Sequence, residues 1–275
     1  MKKYTSLLKY EMKTIMKDSM SVIMILYPFL IVFITGFIIP AILERTTDSS
    51  STASMNTLLI GFVITLSMGG FVMGAMLGFS LLENKDENTL INIAVTPVTV
   101  SGYATFKVIY TTVIAFLANL FMVGGLKLVA VNKYVITIGT TTIKLLDTIN
   151  IGEMLAFSFV ASLVVPMIAL VIGAVAKNKV EGFAFMKSSG IIILIPLLAL
   201  LNMFKDAKQY ILGIVPNFWA MKALLNELMN EVNTVMGITN SSNLNFYWYM
   251  VIGAVYTILI GYVCLRFFIK KSNLK

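Results

Sequence analysis

The 275-residue sequence predicts an all-α membrane protein of six transmembrane helices. An N-terminal amphipathic interfacial helix and a short cytoplasmic helix between spans two and three complete the expected fold. Three observations carry this. First, 58% of the residues are apolar and only 12% charged, against about 45–50% and about 25% in soluble domains. Mean hydropathy is +0.89, more apolar surface than a soluble core of this size hides. Second, the apolar residues fall in uncharged runs of about 20, the length that crosses a hydrocarbon layer about 30 Å thick. Third, the basic residues collect between alternate runs. With no internal repeat and no long linker, residues 1–275 read as one membrane domain.

The elements follow in order. In residues 1–20, Tyr4, Leu8, Met12, Ile15 and Met16 recur at helical spacing with lysines between them. Such a basic amphipathic helix suits the inner headgroup layer. The polar lead is too long for a signal peptide, and the next run is long enough to span. The expected spans are Val22–Leu43, Leu58–Leu82, Val108–Val131, Met154–Ala176, Gly182–Met203 and Phe246–Ile269. Lys187 sits in the first turns of the fifth, where its ammonium can snorkel to the headgroups.

Between the spans, Glu44–Thr57 is a short Ser/Thr-rich outer loop, and Tyr134–Ile138 alternates in the manner of a short strand. Lys177–Glu181 is a tight inner turn. Residues 204–245 form the longest outer segment, in which Phe218, Met221, Leu224, Leu225 and Leu228 predict a helix.

Charge sets the expected orientation. With the N-terminus inside, 14 of the 21 basic residues lie on the inner side, while the 13 acids divide almost evenly. The positive-inside rule then places both termini in the cytoplasm of a plasma membrane, most simply a bacterial one.

Absences narrow the function. The chain has no histidine, which excludes Ser-His-Asp hydrolysis and His-ligated metalloprotease chemistry. The single Cys264 forms neither an intrachain disulfide nor a cysteine metal cluster. Span centres carry no Asp, Glu, Lys or Arg, which argues against coupling to a proton gradient. There is no GxxxxGK[ST] phosphate loop, so the chain does not hydrolyse ATP by that machinery. No cofactor in this chain and no nucleic-acid partner are expected.

The inner connection between spans two and three is the informative segment. Residues 83–97 comprise Glu83, Asn84, Lys85, Asp86, Glu87, Asn88, Thr89, Leu90, Ile91, Asn92, Ile93, Ala94, Val95, Thr96 and Pro97. Asp86 or Asn88 suits a helix start, by capping and by the helix dipole. Leu90, Ile93 and Ala94 share one face, and Pro97 ends the element by disfavouring helical geometry at Thr96. A two-turn helix with a charged tip results, held between two spans so that a push at the tip moves both.

This order of residues resembles the signature of the export-type ABC transporter permeases. There a Glu-Glu-Lys-Glu-x-Gly-Thr-Leu run leads to Leu-x-Val-Thr-Pro-Val and then to a lysine opening span three. Glu83, Lys85, Asp86, Thr89, Leu90, Val95, Thr96, Pro97, Val98 and Lys107 fall at matching places. Asn88 replaces the family glycine and Asn84 a glutamate; asparagine tolerates left-handed backbone well enough to keep the turn. Val215-Pro216-Asn217-Phe218-Trp219 is similar to the family's proline-aromatic segment after span five.

The resemblance implies that residues 83–97 dock on a separate cytoplasmic ATPase that binds ATP and Mg. It also implies a second permease subunit, identical or not, in the same bilayer. A hydrophobic or amphipathic cargo, a drug-like compound or an amphipathic peptide, fits apolar walls with 18 methionines. A membrane immunity or sensor protein without an ATPase partner is the alternative.

Three further features invite packing readings beside functional ones. Gly70, Gly74 and Gly78 in span two make a double GxxxG face, suited to close helix packing or to a moving seam. Asn119, the most polar side chain near a span centre, either hydrogen-bonds a neighbouring helix or lines a path. Pro28, Pro40, Pro166 and Pro196 lie within or at the ends of spans, and none is assigned a hinge.

Overall fold

The computed structural model describes residues 19–46, 52–86, 100–204, 206–237 and 243–271. Helix α1 (Ser19–Phe33) passes through a π-helical turn, Ile34–Ile38, into α2 (Ile39–Thr46). Then follow α3 (Thr52–Asp86), α4 (Val100–Ala130), strands β1 (Val135–Ile138) and β2 (Thr141–Lys144), α5 (Ile151–Val175) and α6 (Lys179–Ile193). Three 3-10 segments lead to α7 (Asn217–Val235), and α8 (Phe246–Lys271) closes the described chain. The expected interfacial helix and residues Glu87–Pro97 of the expected coupling helix lie outside the described residues.

Among the described residues, five helices are long and apolar enough to cross a membrane: Ile25–Ile42, Asn56–Glu83, Ser101–Ala130, Ile151–Val175 and Phe246–Lys271. The expected fifth span, Gly182–Met203, is not one of them. Its α-helix stops at Ile193 and continues as 3-10 turns over Ile195–Leu200 and Asn202–Phe204. Pro196 is the reason: it has no N–H to donate to Ile192, and its ring crowds that carbonyl. The segment still climbs along α3. Gly182 lies against Leu82 and Phe79, and Gly190 against Phe71, while Leu197 and Leu200 pack on the cluster at the far end. Two unlike halves thus replace the continuous helix that composition predicts.

Helix α5 is the central post, with α3, α4 and α8 packed around it. Its start is fixed by a reciprocal cap: Glu153 N–H donates to Asn150 Oδ1 at 2.9 Å, and Asn150 N–H to Glu153 Oε2 at 2.8 Å. Helix α8 is the opposite case, with 17% of its spanning window buried against 67% for α3. Its open side carries Trp248, Val251, Val255, Leu259 and Val263, a stripe that in a bilayer meets lipid or another subunit rather than water.

The largest apolar cluster sits at the hairpin end of the bundle. It joins Ile31, Phe62, Met122, Phe157 and Tyr249 to the hairpin's Ile136 and Ile143. Helix α7, expected from periodicity, forms its floor: Phe218, Met221, Leu224, Leu225 and Leu228 are all at most 3% exposed. The Tyr134–Ile138 alternation resolves as the first strand of an antiparallel hairpin pairing Val135 with Lys144 and Ile138 with Thr141. Gly139, at φ 60°, supplies the left-handed residue of its two-residue turn.

Candidate functional site

Three places are candidates, and they lie at different heights in the bundle. The first is the end where α3 terminates. Glu83 is on the last turns of α3, and its Oε1 meets Lys179 Nζ at 2.7 Å. The turn carrying Lys179 is braced by local bonds, Glu181 N–H to Asn178 Oδ1 and Lys177 N–H to Glu181 Oε2, both 2.9 Å. So the C-terminal end of α3 and the α5–α6 turn, expected on the same side of the membrane, do meet. The backbone of Asn84, Lys85 and Asp86 continues α3. Glu87, Asn88, Thr89, Leu90, Thr96 and Pro97 lie outside the described residues. Nearby, Lys107 is buried on α4 with its ammonium 5.9 Å from the Tyr103 ring. It lines a small space with Leu77, Thr111 and Pro166.

The second place is the seam between α3 and α5. A Cβ on Gly74 would fall 2.8 Å from Ile168 Cβ and 2.9 Å from the Val165 carbonyl oxygen. One on Gly78 would fall 2.8 Å from Ile172 Cβ. Branched side-chain carbons and the Val165 carbonyl leave little room to yield, so α3 and α5 pack at close range along this stretch. Gly70 differs: its nearest neighbour would be Val165 Cγ2 at 4.0 Å. It belongs to the wall of a cavity.

That cavity is the third place. Ser67, Gly70 and Phe71 of α3, Asn119 of α4, Phe157, Ala161, Val164 and Ile168 of α5, and Asn217 and Met221 of α7 surround it. The space admits about one water molecule. Three buried polar side chains from three helices converge there: Ser67, Asn119 and Asn217, at 3%, 2% and 8% exposure. Asn119 Nδ2 donates to the Ala115 carbonyl one turn back, 2.9 Å away. Ser67 Oγ has no hydrogen-bond partner among the described residues. Such a group in an apolar interior costs free energy until a water or a ligand group meets it. No group of three or more His, Cys, Asp or Glu suited to a metal occurs among the described residues.

A model of the family described as "Fluoroquinolones export permease protein Rv2686c-like" matches residues 11–146 and 126–265. The chain belongs to this family. The chain is 27% identical over 216 residues to the Fluoroquinolones export permease protein Rv2686c of Mycobacterium tuberculosis strain H37Rv. It is equally similar to the protein MT2760 of strain CDC 1551. Each alignment covers 77% of this chain and 71% of the relative. The resemblance to export-type permeases drawn from the inner connection agrees with this membership, and five long apolar helices are in keeping with a multi-pass membrane protein.

For a permease, the geometry links sites that the sequence left separate. Helix α3 carries Glu83 at one end, the glycine seam along its inner half and the polar cavity near its middle. Ser67 and Asn217 were missed by sequence reasoning: a serine in an apolar run looks ordinary, and Asn217 reads only as part of the Pro-Asn-Phe-Trp segment. Asn119 was found because it is the lone amide near a span centre.

Proposed function

We propose that this chain is the membrane-spanning permease subunit of an ATP-driven ABC exporter that moves a hydrophobic or amphipathic, drug-like cargo out of the cell. The membership that spans residues 11–265 carries the reading. The relatives named as fluoroquinolones export permeases make a fluoroquinolone the first cargo to test. Energy comes from a separate cytoplasmic ATPase, since the chain has no phosphate loop of its own. Two permease subunits share the bilayer, and both termini face the cytoplasm.

Residues 83–97 take the push. Because α3 runs unbroken from Thr52 to Asp86 and is clamped to α5 at Gly74 and Gly78, force applied beyond Asp86 moves both helices together. It reaches the cavity at Ser67, where α3, α4, α5 and α7 meet, and shifts the bundle between two packings. Ser67, Asn119 and Asn217 offer an uncharged hydrogen-bonding group of the cargo its only polar contacts in apolar walls.

Purification in mild detergent tests the partner. An ATPase recovered in stoichiometric amount, with its hydrolysis stimulated by a fluoroquinolone, is the expected result. A chain that is isolated alone and confers no ATP-dependent efflux would favour the immunity or sensor alternative.

A further inference from the structure

Span one is interrupted where α1 meets α2, and the interruption has a chemical cause and a specific partner. In an α-helix each N–H serves the carbonyl four residues back. Here the Ile39 N–H instead serves Ile34, five residues back, which removes the usual donor of the Thr35 carbonyl. The next residue, Pro40, has no N–H, so it serves neither Thr35 nor Gly36. Both residues are buried, in a span where water cannot stand in.

Two consecutive residues at the start of the hairpin meet these two consecutive carbonyls. Tyr134, 2% exposed, donates its hydroxyl to Thr35 O at 2.8 Å. Lys133 Nζ donates to Gly36 O at 3.2 Å, with its ammonium 4.0 Å from the centre of the Phe37 ring. The Thr35 hydroxyl is engaged elsewhere, on the Ile31 carbonyl at 2.8 Å.

We infer that Lys133 and Tyr134 form a register lock: with Pro40 they hold span one in its π-helical turn, and withdrawing them shifts the balance toward the α-helical register. Removing one residue's worth of widening rotates everything beyond it by roughly 100°. At present Ile39 fills the space opposite Gly61, where an added Cβ would come within 2.8 Å of Ile39 Cδ1. In the relaxed register Ile38 takes that place. The hairpin is therefore the pin that sets which face α2 presents to α3, and whatever displaces the hairpin turns the outer part of span one. This concerns the chain's own packing and does not depend on its being an exporter.

Disulfide mapping of the full chain in lipid nanodiscs, with Cys264→Ala as background, tests it. Ile39→Cys with Gly61→Cys should cross-link readily, and Ile38→Cys with Gly61→Cys poorly. Adding Lys133→Leu and Tyr134→Phe should invert the preference by roughly tenfold, the scale of a lost buried hydrogen bond. Pro40→Ala, which restores an N–H, should move the preference in the same direction with the hairpin intact, and Tyr134→Phe alone, which removes only the donor to Thr35, decides if the double variant does not fold. Cross-linking that stays with the 39/61 pair in the variants that fold overturns the lock.

Discussion

The two ends of this bundle are closed by different means. At the end where α3 terminates, an exposed ion pair between Lys179 and Glu83, whose side chains are 56% and 38% exposed, sits beside a small buried cluster of Phe79, Leu82, Ile172 and Ala176. At the hairpin end, closure is a buried cluster in which Phe218, Leu224 and Val232 have no exposed surface. An aromatic group pins it: Trp219 Nε1 donates to the Gly213 carbonyl at 2.9 Å and the Tyr256 hydroxyl to Ile214 at 2.7 Å. An exposed ion pair is worth about 0–1 kcal/mol, whereas the buried cluster resists separation throughout. The hairpin end therefore holds the larger buried cluster and the end where α3 terminates the smaller one.

Breaking the larger cluster should have the largest effect. Phe218→Ala is expected to cost about 3–5 kcal/mol, read as a lower melting temperature of the purified protein. Gly74→Ala comes next. With the Val165 carbonyl 2.9 Å from the new Cβ, overpacking of about 1–3 kcal/mol is expected, while Gly70→Ala, whose site is open, should be nearly silent.

A smaller effect sharpens the hairpin end electrostatically. Burial, and secondly the charge of Glu153, pushes the Glu227 carboxyl above the usual carboxylate range. A raised carboxyl pKa means the folded state holds the proton more tightly, so its stabilising contribution is full below the ordinary value. That contribution is lost as pH rises through the raised one. Glu227→Gln should remove this decline and melt slightly higher at neutral pH; an unchanged pH–melting curve would speak against it. Smallest of all, Lys179→Ala should shift the melting temperature hardly at all, in keeping with an exposed pair.

How much of this was legible in the sequence follows the same divide. Five spans were plain because length and hydropathy alone define them, and α7 because its buried positions recur at helical spacing. The fifth expected span was not, since composition does not register what Pro196 does to the hydrogen-bond ladder. The π turn left one mark, Pro40, but nothing local names Lys133 and Tyr134, about a hundred residues away, as its donors. The polar cavity was one-third visible, through Asn119, because convergence of Ser67 and Asn217 is a property of packing.

The central claim is that this permease is driven through residues 83–97 by a separate ATPase. Uptake of a fluoroquinolone into inverted membrane vesicles containing the chain and its ATPase tests it most directly, comparing wild type with Asp86→Lys/Glu87→Lys. The account predicts ATP-dependent accumulation that the double variant abolishes while still inserting in the membrane. Accumulation equal in both proteins, or independent of ATP, would contradict it.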